Sequence, residues 1–135
     1  MKKVLGGILV LMLAAAPLFA DANTVSKENL ELAKKGLMFS LKSENAGVRN
    51  SALHILAKVR AEYPNADLSG FNKMLTDMSK KDDMKAIRAN ANLAFIYINS
   101  NELPDRVRVE DREDPSIFFN DLYTELSENF VALNR

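Results

Sequence analysis

His54 is the only imidazole in this 135-residue chain, so it is the first place to look for proton-transfer chemistry. A general base needs a reacting group within reach and a carboxylate to orient it, and no local motif around His54 supplies them. It falls on a polar helix flank with Asn50 and Lys58, where a histidine ordinarily faces solvent. A second candidate is the stretch NADLSGFNKMLT, residues 65 to 76, which approaches a calcium loop. Asn65, Asp67, Ser69 and Gly70 take its first, third, fifth and sixth places, but the twelfth is Thr76 where a bidentate Glu belongs. A helix-capping loop is the better reading. The acids Glu110, Asp111, Glu113 and Asp114 form a third group. Arg112 interrupts them and Arg106 and Arg108 precede them, as in a self-neutralising, solvated linker.

Other chemistry is excluded by composition. Without cysteine there is no disulfide, thiolate metal site, cysteine nucleophile or lipid-modified cysteine. One histidine excludes metal sites built on several within one chain. No glycine-rich phosphate loop, G-x-S-x-G elbow or H-E-x-x-H helix occurs. The balance of 18 basic against 18 acidic residues leaves no electrostatic footprint for nucleic acid or an anionic membrane. No catalytic residue, cofactor or metal is expected, and the chain reads as a non-enzyme.

The first residues carry an address. Lys2 and Lys3 precede an uncharged, mostly apolar run from Val4 to Phe19, and small residues follow at Ala20 and Ala22. This is the layout of a secretory signal peptide over residues 1 to 22, with cleavage after Ala22, or less favourably after Ala20. The expected location is therefore the periplasm or the medium of a bacterium. The mature chain, residues 23 to 135, would hold 16 basic and 17 acidic residues. Its length suits one domain, with no stable membrane span once the signal is removed.

Apolar spacing divides the mature chain into helices. Ser26 to Leu41 carries Leu30, Ala33, Leu37, Phe39 and Leu41. After the turn KSENAG, Val48 to Tyr63 carries Val48, Ala52, Ile55, Leu56 and Val59, and Pro64 ends it. Phe71 to Lys80 and Met84 to Asn99 follow, joined by the polar turn KKDD. Residues 100 to 114 read as a charged linker, with only a weak alternating pattern at 106 to 109. Asp114-Pro115 then opens a final helix to about residue 133, with Ile117, Phe118, Leu122, Leu126, Phe130 and Leu133 on its stripe. The expected class is all-α.

One pattern occurs twice. Val48-Arg49, Ala52, Leu56 and Val59 match Ile87-Arg88, Ala91, Phe95 and Ile98 at an offset of 39. A period near 40 made of two antiparallel helices is a helical-repeat signature, because one pair cannot bury its own apolar face. The blocks Val48, Arg49, Ala52, Leu56 and Ile87, Arg88, Ala91, Phe95 resemble the second helix of the HEAT family, over about residues 26 to 99. The resemblance implies helix pairs at about 26 to 63 and 70 to 99, stacked as a short α-solenoid, with the last helix as a cap. It departs from the family in lacking a clear proline and aspartate in each first helix and turn. The fourth helix adds Ala89, Leu93, Ile96 and Tyr97 as a second apolar flank, which places it at the centre of the stack under the last helix. The equivalent flank of the second helix, Asn50, His54 and Lys58, places that helix near one end.

Proteins resembling the HEAT family are usually scaffolds or adaptors. The expected function is an exported module that binds another protein of the cell envelope through Asn50, His54 and Lys58. The alternative is a small periplasmic carrier of an apolar ligand, with Leu93, Ile96 and Phe118 lining a pocket under a movable last helix. Met38, Met74, Met78 and Met84 would add an adaptable apolar surface, although methionine at helical spacing is more often core.

Overall fold

Helix-forming stretches broken by polar turns give, among the described residues, six α-helices and no strand. They are α1 (Lys27–Leu41), α2 (Ala46–Glu62), α3 (Asn72–Lys81), α4 (Lys85–Ile98), α5 (Leu103–Arg106) and α6 (Pro115–Leu133). The computed structural model describes residues 27–110 and 113–133, with side chains through residue 130. The expected export segment and Ser26 lie outside the described residues.

Local chemistry sets each boundary. Asn45 caps α2 by accepting a hydrogen bond from the Val48 N–H. Past its last turn, the Tyr63 N–H returns to Val59 O before Pro64. Ahead of α3, Asp67 accepts from the Ser69 N–H at 3.0 Å and from the Ser69 hydroxyl at 2.6 Å, and a 3-10 turn over Ser69–Phe71 leads into the helix. Hydrogen bonds from the Ser69 hydroxyl and N–H lower the Asp67 pKa from the ordinary carboxylate value. Those bonds are local to the loop, and neither the 3-10 turn nor α3 has a side-chain cap bond, so the stretch is a turn closed by Asp67 rather than the helix cap expected. Lys80 and Lys81 sit in the last turn of α3, where positive charge suits the helix dipole.

α2 packs against both α1 and α4, and α4 packs against α3. The shared core holds Leu37 and Leu41 of α1, Leu53, Leu56 and Ala57 of α2, Phe71 and Leu75, and Ala91, Ala94 and Tyr97 of α4. Alanines at 52, 57, 91 and 94 are all buried, and their size lets the helices approach closely. α6 lies across α2 and α4 together, with Phe118, Phe119 and Leu122 buried beneath it.

Three expectations are corrected. Phe39 was placed on the inner stripe of α1, but it is 67% exposed. It lies two residues from Leu37, some 200° around the helix, so both cannot face the core. In α6 the inner stripe is Phe118, Phe119 and Leu122, while Ile117 points outward at 51% exposure. The charged linker is not simply solvated. Pro104 sits in the first turn of the short helix α5, and Leu103 and Val107 join the core.

α2 is also no end helix. It touches α1, α4, α5 and α6. Ala89, expected on an inner flank of α4, is exposed, whereas Leu93 and Tyr97 of that flank are buried. No helix among the described residues is long and apolar enough to cross a membrane.

Candidate functional site

Two polar clusters tie the helices together, and both involve residues singled out above. The first gathers on Arg49. Its Nε and Nη2 donate to the Asp82 carboxylate at 2.9 and 3.0 Å, and Nη2 also reaches Asp83 at 3.1 Å. Nη1 donates to the carbonyls of Ser43 and Glu44 at 3.0 and 3.1 Å. All five guanidinium N–H groups are thereby used. The network joins the α1–α2 turn to the α3–α4 turn. Burial would raise the Asp82 pKa, but hydrogen bonds from Arg49 and the Met84 N–H, with the Arg49 charge, hold it below the ordinary carboxylate value.

The second cluster surrounds His54. The ring is 8% exposed, which corrects the expectation that it faces solvent. Its Nε2 lies 3.3 Å from Glu113 Oε1, and that oxygen also accepts from the Glu110 N–H at 3.1 Å. Phe118 presents its ring to the imidazole at 5.6 Å between centroids, and to Tyr97 at 5.1 Å. The Tyr97 hydroxyl donates to Val107 O at 2.9 Å, and burial pushes its pKa up to about 12. Asp114, next in sequence, accepts from the Ser116 N–H at the start of α6, and that bond holds its pKa below the ordinary value.

The expected contact flank is thus engaged within the chain. Asn50 Oδ1 accepts from Asn90 Nδ2 at 2.8 Å, His54 is covered by Glu113 and Phe118, and Lys58 is half-buried. The structure brings Asn50 and His54 to different neighbours, α4 for one and the α6 entrance for the other. The imidazole does have a carboxylate partner in Glu113, and the residue is buried. Phe118, expected to line a ligand pocket, is held between the rings of His54, Tyr97 and Phe119. Among the described residues, no group of three or more His, Cys, Asp or Glu side chains could hold a metal ion.

Sequence reasoning missed Arg60 and Asp82. Arg60 is buried, and it donates to Pro64 O at 3.0 Å and to Ser100 O at 2.7 Å. Those carbonyls follow the C-termini of α2 and α4, where the helix dipoles are negative, so the charge is partly compensated without an acid. The available signal was an arginine inside an otherwise apolar helical stripe. The signal for Asp82 was its place in the KKDD turn, facing an arginine repeated at a fixed offset. No protein-family model, curated protein or solved structure matches the chain.

Proposed function

We propose that this chain is an exported, non-enzymatic helical module that binds another protein of the bacterial cell envelope. The observation that carries the reading is the set of large apolar side chains exposed on α1 and α6. Leu32 and Phe39, two turns apart on α1, are 64% and 67% exposed. Tyr123 and Phe130, two turns apart on α6, are 65% and 69% exposed. Contiguous apolar patches on a protein surface mark interaction sites, and we take these pairs as parts of two such patches. The lysine-led apolar leader with its Ala-x-Ala exit supports export.

Stacked pairs resembling HEAT repeats are part of the same proposal. Support comes from matched hydrogen bonds: Arg49 donates to Ser43 O, and Arg88, 39 residues on, donates to Asp82 O, 39 residues on from Ser43. Such pairs commonly act as adaptors, although fold alone does not give function.

The test is affinity recovery of the tagged full chain from its native host after in-cell crosslinking. One envelope protein should co-purify in stoichiometric amount and should bring the chain down reciprocally when it is itself tagged. Recovery of the chain alone, at its monomer mass, would overturn the reading.

A further inference from the structure

The first helix pair shows what the matching face of the second is built to hold. Arg49 and Arg88 stand at equivalent positions, and each donates Nη1 to its own pair's turn, to Ser43 O at 3.0 Å and Asp82 O at 2.6 Å. Beyond that bond they differ. The Nε and Nη2 of Arg49 go on to the carboxylates of Asp82 and Asp83, in the turn of the following pair. Arg88 uses one donor of five, and among the described residues no carboxylate pairs with it.

The helix faces beside the two arginines repeat this contrast. Asn50, Leu53 and Ala57 share one face of α2 at i, i+3 and i+7. On that face Asn50 takes the hydrogen bond from Asn90 of α4, and Leu53 and Ala57 are fully buried. Their counterparts on α4, again 39 residues on, are Ala89, Asn92 and Ile96. Ala89 and Asn92 are exposed and Ile96 is half-buried.

We propose that this face of α4, with Arg88 at its N-terminal end, is the docking surface for a helical hairpin of another protein, whose inter-helix turn offers a carboxylate to Arg88 as Asp82 does to Arg49. The inference rests on the protein-binding reading above and names its surface and partner chemistry. Ala89 allows close helix approach, Ile96 supplies apolar contact, and Asn92 can bond across the interface as Asn50 does. The Arg88 donors other than the one bonded to Asp82 O can take an acid, in a geometry that this chain already uses once at Arg49.

A second copy of this chain does not fit the seat. To continue the stack it would have to present the α2 flank matching the one that α4 turns toward α2. Ser51 matches Asn90 at the offset of 39. His54, one turn beyond Ser51, is already covered by Glu113 and Phe118. The occupant is therefore a hairpin from a different protein.

The experiment places a photo-crosslinking residue singly at Ala89, Asn92, Phe39 and Tyr123 of the tagged full chain in its native host, with and without Arg88→Glu. Linked peptides are then sequenced. The expected result is one protein captured at 89 and 92, joined within a helical hairpin that carries Asp or Glu in its turn. Arg88→Glu should cut that yield about tenfold or more, and replacing the partner's turn acid with Lys should restore it. Arg88→Gln, which can still donate to Asp82 O, should weaken capture in the same direction if Arg88→Glu lowers folding. Capture at 39 or 123 but not at 89 or 92 overturns the surface and leaves the protein-binding reading standing. Capture at 89 and 92 that neither Arg88 variant weakens overturns the acidic-turn partner, and no capture at any position overturns both.

Discussion

Arg49 and Arg88 are the same residue type in the same local pattern, with unequal consequences for stability. Arg49 closes five hydrogen bonds across two turns, and the Asp82 side chain opposite is only 6% exposed. Arg49→Lys retains the charge but loses the planar fork that reaches both aspartates and both carbonyls. It should cost about 2 kcal/mol, whereas Arg88→Lys should stay within about 0.5 kcal/mol. Urea unfolding of the two variants beside the parent checks the contrast, and equal losses would refute it. Tyr97 makes a smaller case. Its hydroxyl bonds Val107 O inside the core, so Tyr97→Phe should lower stability by about 1 kcal/mol by leaving that carbonyl unpaired. The sequence marked Tyr97 only as part of the second apolar flank of α4, because nothing local shows where a buried hydroxyl finds its acceptor.

At the scale of elements, α6 depends on three buried side chains near its start. Phe118, Phe119 and Leu122 are buried, and Glu113 reaches His54 just before the helix begins. Phe118 is fully buried with aromatic neighbours on three sides. Phe118→Ala should therefore cost about 3–5 kcal/mol and release the rest of α6, whose Tyr123 and Phe130 already face water. Hydrogen exchange should then rise through residues 115 to 133 before it rises in α2 or α4. A uniform rise would mean that α6 unfolds with the whole chain. The extent of α6 was legible from Asp114-Pro115 and the spacing of its apolar residues. Its rotation was not, because Ile117 and Phe118 adjoin in sequence and only packing decides which of them faces in.

At the scale of the molecule, the Arg49–Asp82 network makes stability depend on acid. The Asp82 carboxyl titrates below its ordinary value in the folded chain. Its contribution is thus fully present above the unfolded Asp pKa of about 3.9 and is lost as pH falls through the folded value. The urea midpoint should hold from pH 7 to about 5 and fall below about pH 4. Asp82→Asn should lower stability at pH 7 by about 3 kcal/mol, by removing the buried charge partner of Arg49 and leaving it only the exposed Asp83 carboxylate, and its own midpoint should fall less on acidification. Asp67, Asp77 and Asp114 also titrate low through local hydrogen bonds, so part of the slope should remain. A variant with the parent's full acid slope would assign the dependence to those exposed groups.

The sequence by itself determined the all-α class and most helix limits, because both follow from short-range periodicity, caps and prolines. Tertiary structure decided which polar residues face water. His54 and Glu113 read as surface groups and Arg60 drew no reading at all, yet each is held by residues 3 to 59 positions away. Whether a charged or polar side chain can be buried depends on a partner arriving from another helix or turn, and helical spacing records only the chain's own faces.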